Sequence, residues 1–252
     1  MVNFEATLFC GQSFSWQKSE GFYQGVISNH LITLPMDDPF SHIRGNPFLE
    51  HYFDLAFPYQ TAEEILSSRD PNLKGLIEAH GSIHILNQDP WEITLGFITS
   101  QNNTIKRIRT LLDLLRVRYG KEISPTHYAL PTADELITAA DEDALRALGF
   151  GYRAPFLLDA AKKVSLLERV STQDDAHALE TLKEIIGVGP KVAACILLFG
   201  FGRKDIFPLD TWTKRIMKQQ YPDRDPSFFS PYGGIAQQHL FFAERRKNSV
   251  HW

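Results

Sequence analysis

The 252-residue sequence predicts an α+β protein, in which a small N-terminal antiparallel β-sheet domain precedes an all-α helical bundle. Three observations lead to this fold class. Strand-like segments are confined to the first 40 residues, helical apolar spacing dominates from Asp89 onward, and proline or glycine separates most helical segments. We therefore predict one domain over residues 1–86, with a sheet and flanking helices, and a helical domain over residues 87–252.

The N-terminal elements are predicted from turn residues and apolar spacing. Residues 22–27 and 31–34 flank Ser28, Asn29 and His30, a connection rich in turn formers, so the pair predicts a β-hairpin. Residues 7–10 and 13–16 are predicted as two further short strands, separated at Gly11. Beyond Pro47, apolar residues at helical spacing predict three helices, over residues 48–57, 62–69 and 73–80.

The remaining chain is predicted to be almost entirely helical. Asp89 and Pro90 are a typical helix start, with an acid at the N-cap and proline at the first helical position, and they predict a helix over residues 91–100. A second helix, over residues 104–119, has its leucines and isoleucines on one face and its basic residues mostly on another. Further helices are predicted over residues 134–140, 142–148, 154–170, 175–186, 190–201, 211–221 and 234–247.

Composition excludes several classes of protein. Two cysteines, Cys10 and Cys195, are too few for a disulfide framework or for a cysteine-ligated zinc or iron–sulfur site. The longest apolar stretch, residues 196–201, is far shorter than the roughly 20 residues that span a bilayer, and no basic leader precedes an apolar segment at the start. We expect an intracellular protein without membrane contact, cytoplasmic in a prokaryote or nuclear in a eukaryote.

The formal charge of -4 conceals a strong segregation of charge along the chain. Residues 101–121 carry six basic residues and one acid, and residues 191–218 carry six basic residues and two acids. Such segregation concentrates a positive field on particular surfaces, as a nucleic-acid partner requires. The alternative is two solvated helix faces, and charge alone leaves both interpretations open.

The turn from Gly187 to Lys191 is the most informative segment. One predicted helix ends at Gly187, Val188 turns inward, and Gly189 and Pro190 open the next helix. Glycine accommodates positive φ, and proline suits a first helical turn, where its missing donor would be unpaired anyway. This leaves backbone N–H groups able to hold a phosphate oxygen at the helix N-terminus, those of Gly189, Lys191 and Val192. A plain connector between two helices is the alternative.

The presence of both Lys191 and Asp210 favours a catalytic role for this turn over that of a plain connector between two helices. A nucleophilic lysine must be neutral, and both burial and a position in the first turn of a helix favour the neutral amine. Asp210 follows Pro208 and precedes a predicted helix, so it is expected to be an N-cap whose carboxylate is held by backbone donors. A fixed carboxylate suits the stabilisation of an oxocarbenium-like sugar as a glycosidic bond breaks. Because an adjacent acid also favours the ammonium form, Asp210 must act mainly on the sugar or on proton transfers.

The segment from Gly187 to Lys191, followed by Asp210, resembles the helix-hairpin-helix and catalytic aspartate of the DNA glycosylase superfamily that includes endonuclease III. Four other segments resemble the 8-oxoguanine DNA glycosylases within it. They are GQSFSW from Gly11, SQNNTIKR from Ser100, GFGYRA from Gly149 and PYGGIAQQHLF from Pro231. The motifs occur in family order over nearly the whole chain, and they place the helix-hairpin-helix at about residues 175–201.

The resemblance implies roles for the chemistry and for the damaged base. Lys191 would be the Schiff-base nucleophile and Asp210 the catalytic carboxylate. The carbonyl of Gly11 would accept from the N7–H that 8-oxoguanine has and guanine lacks. Gln237 would read the Watson–Crick edge of the base, and Cys195 and Phe241 would enclose its faces. Helical spacing is compatible with this, since Cys195 lies four residues after Lys191 and Phe241 four after Gln237. A buried core cysteine and ordinary aromatic packing are the alternatives.

The same resemblance implies contacts with the opposite DNA strand. Asn102, Arg107 and Arg153 correspond to the residues that contact the unpaired cytosine, and Tyr152 to a wedge beside it. Arginine and asparagine donors suit the acceptors O2 and N3 of cytosine, so the trio implies a preference for damage opposite cytosine. The sequence departs from the family pattern at Pro190, which removes one backbone donor, and at Ala194 and Trp212.

The sequence thus predicts a DNA N-glycosylase with lyase activity that flips 8-oxoguanine out of duplex DNA, excises it and cleaves the strand by β-elimination. We expect a monomer whose partner is double-stranded DNA, and lysine chemistry requires no metal or organic cofactor. Two alternatives remain open. The fold could serve another damaged base, or the chain could be a non-catalytic helix-hairpin-helix DNA-binding protein.

Overall fold

The predicted α+β order is confirmed in the computed structural model, which describes residues 2–247. The N-terminal sheet is antiparallel, in the order β1–β2–β3, and consists of β1 (Trp16–Ser19), β2 (Phe22–Ile27) and β3 (His30–Pro35). Ile27 pairs with His30, so Ser28 and Asn29 form a two-residue turn, with φ of 45° and 65°. Positive φ at both positions matches the twist of a hairpin, and the predicted hairpin is confirmed.

The two shorter strands predicted at the N-terminus are wrong. Residues 7–10 belong instead to helix α1 (Phe4–Phe9) and its C-cap, Cys10. The Asn3 side chain accepts from the backbone N–H of Ala6 at 2.8 Å, which provides a helix N-cap. Four consecutive residues, 6–9, are buried, so the apolar run is the buried face of a short helix rather than an alternating strand. Residues 13–15 form a loop, and β1 begins only at Trp16.

Four short helices follow the sheet: α2 (Phe40–Ile43), α3 (Pro47–Tyr52), α4 (Tyr59–Arg69) and α5 (Pro71–His80). The helix predicted over residues 48–57 ends early, at Tyr52. Asp54 adopts a φ of 54°, a left-handed conformation that an α-helix cannot contain. The other two predicted helices are present and begin two or three residues earlier than expected.

The C-terminal part consists mainly of helices, as predicted. Their bounds are α6 (Pro90–Ser100), α7 (Ile105–Tyr119), α8 (Ala133–Ala139), α9 (Glu142–Ala147), α10 (Ala154–Lys162), α11 (Ser165–Ser171), α12 (Asp175–Leu182), α13 (Pro190–Phe201), α14 (Thr211–Gln220) and α15 (Gly233–Lys247). Short 3₁₀ turns cover Gly151–Arg153 and Pro226–Phe229.

Three details of the helical part differ from the prediction. The helix predicted over residues 154–170 is two helices, α10 and α11, which meet at Lys163 and Val164. The helix predicted over residues 175–186 ends at Leu182. A small hairpin, β4 (Glu122–Ser124) and β5 (His127–Tyr128), interrupts the bundle, so the bundle is not purely helical. Strands of three and two residues are too short to produce a periodic pattern.

Three hydrophobic clusters hold the elements together. The largest fills the helical bundle and includes Leu66 of α4 and Leu73 of α5, while a second lies between the sheet and α1–α3. A third, small cluster joins α1 to α15 and consists of Ala6, Cys10, Ile83, Phe241 and Phe242, with Trp212 packed against it. The N-terminal segment therefore contacts the last helix directly. The boundary between residues 86 and 87 stays a prediction.

Within residues 2–247, none of the helices is long and apolar enough to cross a lipid bilayer.

Candidate functional site

Two adjoining concavities contain most of the predicted site. The small cavity, of about 170 Å³, lies where the loop after α1 meets α13, α14 and α15. The residues predicted for chemistry and base contact all line it: Lys191, Asp210, Gly11, Cys195, Gln237 and Phe241. The wide groove, of about 940 Å³, opens beside it and shares Lys191, Asp210 and Trp212 with the small cavity. Residues distant in the sequence thus converge on one place.

Lys191 lies in the first turn of α13, directly after Pro190. Its side chain is half-buried, and its Nζ lies over the ring of Phe97, 5.0 Å from the ring centroid. An ammonium group is attracted to an aromatic face in this geometry. The Lys191 cation also lies near enough to the Cys195 thiol to lower its pKa, against the effect of burial. The amine is thus neither buried among apolar groups alone nor turned away from the cavity that contains Asp210.

Asp210 is the N-cap of α14, as predicted. Its carboxylate accepts from the backbone N–H of Thr213 at 2.8 Å, and the Thr213 hydroxyl accepts in turn from the Asp210 N–H at 2.8 Å. This reciprocal capping box satisfies two backbone donors that the helix itself cannot pair. The carboxylate is consequently fixed at the small cavity, which Lys191 also lines.

The turn before Lys191 depends on one of its two glycines. Gly187 has a φ of 81°, and a Cβ there would overlap the ring of Phe156. Val188 is 5% exposed, so the predicted inward turn of this side chain is confirmed. Gly189 has an ordinary φ of -91° and open space around it, and it forms the N-cap of α13 without a side-chain hydrogen bond. Gly189 and Val192 line the wide groove, while Gly187 does not.

Cys195 and Phe241 form part of the wall of the small cavity, on α13 and α15. Cys195 is buried, and burial raises the pKa of its thiol to about 11, although the nearby Lys191 cation opposes this shift. The Arg245 guanidinium lies over the Phe241 ring at 5.5 Å from its centroid. Both side chains thus present polarizable surfaces to the cavity, which suits a planar ligand.

The loop that carries Gly11 is held by its neighbour Gln12. The buried Gln12 amide donates to the carbonyls of Thr7 and His84, and its oxygen accepts from the N–H of Leu86 at 2.9 Å. Gly11 itself has a φ of 86°, so a side chain at this position would strain the backbone. The backbone of Gly11 is therefore rigidly positioned at the cavity, as a reader of ligand hydrogen bonds must be.

Gln237 forms a side-chain pair with Gln238, the residue that follows it. The Nε2 group of Gln238 donates to Oε1 of Gln237 at 2.7 Å. Both side chains are buried, 4% and 2% exposed, and both residues line the small cavity. The carbonyl of the predicted base-reading amide is therefore already engaged by a protein donor.

The residues predicted for the opposite strand form a second site, the arginine surface, defined as Asn102, Arg107, Tyr152 and Arg153, of which all but Arg153 are exposed. Arg153 is 7% exposed and donates to the backbone carbonyls of Gln101 and Asn102. Tyr152 is 48% exposed and lies under the Arg153 guanidinium, 4.3 Å from the ring centroid. The structure brings these residues together, but the guanidinium of Arg153 is occupied by its own protein backbone.

Arg107 and Asn102 line the wide groove, whereas Tyr152 and Arg153 do not. The Arg107 side chain lies against Gly149, where any Cβ would overlap its guanidinium. Among the lining residues of the groove are three cations, Arg107, Lys191 and Lys214, and one acid, Asp210. This excess of positive charge suits a polyanionic ligand.

Sequence reasoning assigned no role to several residues of the site. Phe97 lies beneath Lys191, Trp212 lines both concavities with the Arg215 guanidinium 4.7 Å from its ring centroid, and Arg245 lies over Phe241. Gln12 and Gln238 each position a neighbour that had been predicted. The signal that could have found the two glutamines is their adjacency to Gly11 and Gln237 inside apolar segments, where an amide needs a specific partner.

Comparison with protein families gives two matches that together cover residues 1–227. Residues 1–94 match the model described as "8-oxoguanine DNA glycosylase, N-terminal domain". Residues 95–227, more than half of the chain, match the model described as "HhH-GPD superfamily base excision DNA repair protein".

Individual relatives carry related names. The chain is 30% identical to the N-glycosylase/DNA lyase OGG1 of Arabidopsis thaliana, over 93% of this chain and 75% of that protein. It is 36% identical to the N-glycosylase/DNA lyase of Saccharomyces cerevisiae, a match that covers 55% of this chain and 42% of the yeast protein. A Clostridium acetobutylicum 8-oxoguanine glycosylase/lyase, solved with double-stranded DNA containing cytosine opposite 8-oxoguanine, has a TM-score of 0.85 and 31% identity, covering 99% of this chain and 93% of that one.

Proposed function

This chain belongs to the HhH-GPD superfamily of base excision DNA repair proteins, and we propose that it is a DNA N-glycosylase and DNA lyase that removes 8-oxoguanine from duplex DNA. One observation supports this activity above the others. One cavity is lined by an amine, a fixed carboxylate, a backbone carbonyl and a side-chain amide suited to the edge of a base, and two side chains suited to its faces. These residues are spread between positions 11 and 241. A non-catalytic DNA-binding protein has no need of both Lys191 and Asp210 in the lining of such a cavity.

The chemistry follows from the position of the amine and the carboxylate. Once the nucleotide has been flipped into the small cavity, the lone pair of Lys191 Nζ attacks C1′ and the N-glycosidic bond breaks. The base leaves with the bonding electrons and takes up a proton. The sugar ring then opens as the C1′–O4′ bond breaks, giving a Schiff base. Loss of a proton from C2′ expels the 3′-phosphate by β-elimination, which cleaves the strand.

Asp210 stabilises the positive charge that develops on the sugar as the glycosidic bond lengthens. Its capping hydrogen bonds mean that the carboxylate does not have to reorganise when that charge appears. The same immobility would let it accept or return protons at a fixed distance from C1′. Lys191 and Asp210 therefore have separate tasks, and one attacks while the other stabilises.

The wide groove is the proposed path of the DNA duplex, and its cationic balance suits the phosphate backbone. The exposed N-terminus of α13, at Gly189 and Lys191, would hold a phosphate beside the flipped nucleotide. The arginine surface then faces the strand opposite the lesion, and its donors favour cytosine. The enzyme would act in whichever compartment contains DNA.

A trapping assay tests the nucleophile. A duplex with one 8-oxoguanine opposite cytosine is incubated with the protein and borohydride, which reduces a Schiff base to a stable covalent adduct. We expect a trapped adduct with the native protein and none with Lys191→Gln. Arg118→Gln, an exposed change on α7, is the control and should trap as well as the native chain. An equal adduct from Lys191→Gln would refute the assigned nucleophile.

The alternative of another damaged base is tested in the same format with a panel of duplexes. Oxidised pyrimidines, alkylated purines and 8-oxoguanine are compared at equal concentration. We expect 8-oxoguanine to be excised fastest, since the Gly11 carbonyl matches its N7–H. A faster reaction with any other lesion would replace the proposed substrate while leaving the nucleophile intact.

A further inference from the structure

We propose that Phe156 is a positioning residue for base flipping, which holds Tyr152 of the arginine surface at a fixed spacing from the turn over residues 187–191. Contact with the strand opposite the lesion and the grip on a phosphate of the lesion strand then act together on the duplex. This inference rests on the proposed function and goes beyond it, because nothing in that function links the two contacts. Phe156 acts through Tyr152 and the turn, without contacting the DNA itself.

The ring of Phe156 touches both of the parts that it joins. It meets the Tyr152 ring edge-on, with the ring centroids 5.9 Å apart and the ring planes at 73°. It also lies against Gly187, where a Cβ would come within 2.2 Å of the Phe156 ring. The half-buried Phe156 therefore connects the arginine surface to the start of the turn.

Two further side chains next to Phe156 hold the segment that leads into the turn. Asp159 accepts from the backbone N–H of Ile186 at 2.7 Å. Lys163, the C-cap of α10, donates to the carbonyl of Glu184 at 2.6 Å and pairs with Asp159 at 2.9 Å. Positions 156, 159 and 163 are spaced by three and four residues, so they share one face of the helix. This face of α10 contacts the segment at three successive points.

α10 is itself fixed within the helical bundle. Leu157, Ala160 and Ala161 are buried in the largest hydrophobic cluster. Tyr152 lies in the 3₁₀ turn that runs directly into α10, and its hydroxyl donates to the carbonyl of Gln101 at 3.3 Å. Closely packed interiors transmit strain rather than absorb it, so the spacing between Tyr152 and the turn varies little.

A fixed spacing matters because flipping requires work on the duplex. Extruding a nucleotide breaks its stacking and pairing, and a side chain that enters the stack offsets part of that cost. The backbone N–H groups at the N-terminus of α13 hold the phosphate of the strand that leaves. If Tyr152 could recede, its contact would do little to strain the base pair that must open. Because Phe156 supports Tyr152 and bears on the turn, the wedge keeps its place while the phosphate is held.

The test compares two reactions that share the same amine but differ in the need to unstack a base. One is single-turnover excision of 8-oxoguanine opposite cytosine. The other is β-elimination at a preformed abasic site in the same duplex, where no base has to leave the stack. Both reactions use Lys191, so a variant that merely displaces the amine lowers both rates and leaves their ratio unchanged. A variant that impairs flipping lowers the ratio of excision to elimination.

Phe156→Leu removes the ring contact with Tyr152 while keeping an apolar side chain. From the usual strength of an aromatic pair, we expect the ratio to fall about 5-fold to 10-fold. Phe156→Tyr keeps the ring and should retain the native ratio. Phe48→Leu, the same change at a half-buried phenylalanine of α3 that contacts His30, is the matched control and should also retain it. Because the ratio is internal to each variant, a partly unfolded preparation does not alter it.

A double-substitution cycle tests whether Phe156 acts through Tyr152. In a Tyr152→Leu background, adding Phe156→Leu should lower the ratio no further, because no ring remains to be supported. A further fall would overturn the inference, as would a native ratio in Phe156→Leu or in Tyr152→Leu. In each of these cases, excision of 8-oxoguanine by the native protein would still uphold the proposed function. Absence of that excision would refute the proposed function, and the inference with it.

Discussion

The small cavity and the arginine surface were predicted from the same resemblance, but the structure holds their residues in different ways. Every predicted residue of the cavity lines it, on elements fixed by capping or burial. The predicted residues of the arginine surface are adjacent, but Arg153 is bonded to the backbone of Gln101 and Asn102, and Tyr152 is half exposed. The residues of the cavity are already in place to contact a ligand. Those of the arginine surface would have to change partners or position when DNA binds.

The difference has a structural origin. The cavity side chains project from helix interiors or caps, where a residue number determines a direction. Apart from Arg107 in the first turn of α7, the arginine surface is built on a loop and a 3₁₀ turn, where Asn102 has a φ of 50° and Gly149, beside the Arg107 side chain, a φ of 100°. Such conformations depend on neighbours as well as on sequence. A rigid site can stabilise a transition state without reorganising, while a looser surface suits a DNA strand whose base must be tested.

The largest effect should come from Asp210→Asn, which tests the rigidity of the cavity. Asparagine caps helices as well as aspartate does, so the Thr213 bond survives and unfolding free energy should change by less than about 0.5 kcal/mol. Removing the charge should slow excision of 8-oxoguanine about 10²-fold to 10³-fold. Urea unfolding and single-turnover kinetics measure the two quantities. If the variant excised 8-oxoguanine as fast as the native protein, Asp210 would have no role in the chemistry.

The next effect separates the two glycines of the hairpin that leads into the cavity. Gly187→Ala forces a Cβ into the Phe156 ring at positive φ, so we expect a loss of about 2 to 4 kcal/mol in unfolding free energy. Gly189→Ala, with ordinary φ and open surroundings, is the matched control, and as a change at an N-cap it should lower the unfolding free energy by no more than about 1 kcal/mol. Equal losses in urea unfolding would show that the turn does not depend on the conformation of Gly187.

Some features of the structure could be predicted from the sequence and others could not. The Asp210 N-cap, the inward turn of Val188 and the β2–β3 hairpin were predictable because each depends on a few neighbouring residues. The strand predicted at residues 7–10 was wrong because an apolar run of four residues fits either a buried strand or a short helix. The cap that selects the helix, Asn3, lies outside that run.

The candidate site shows the same limit. The residues proposed to act on the ligand were found through motifs, but the residues that hold them in place were not. Gln12 bonds to segments 72 and 74 positions away, and the Phe97 ring beneath Lys191 lies on another helix. Such partners are set by tertiary packing, which no local pattern encodes. Arg153 was predicted as a ligand contact, and its bonds to a backbone 51 and 52 positions away could not be seen in the sequence.

Thiol reactivity offers a third test of how closed the cavity is. With its pKa raised to about 11, Cys195 is almost entirely protonated at neutral pH, and the thiolate fraction rises only as pH approaches 11. Alkylation by iodoacetamide at pH 7.5 should therefore be roughly 10²-fold slower than for a free cysteine, followed by mass spectrometry of the Cys195 peptide. The urea-unfolded chain is the control. A native rate that levels off below pH 9 would mean that the thiol is not shielded.

The smallest expected effects distinguish Arg153 from Arg107 within the arginine surface. Arg153→Gln removes hydrogen bonds from two partly buried backbone carbonyls, so it should reduce unfolding free energy by about 1 to 2 kcal/mol as well as weaken discrimination of the opposite base. Arg107→Gln changes an exposed side chain and should alter stability by less than about 0.5 kcal/mol, while reducing the preference for cytosine over adenine opposite the lesion roughly 10-fold.

Excision rates with each base opposite the lesion give the preference for cytosine, and urea unfolding gives the unfolding free energy. Both are measured for both variants. A stability loss confined to Arg153→Gln, with discrimination lost in both, would mean that Arg153 shapes the loop that carries Asn102 and leads into the first turn of α7, where Arg107 lies. If Arg107→Gln retained the full preference for cytosine, the arginine surface would be a structural support, and the opposite base would have to be read elsewhere along the wide groove.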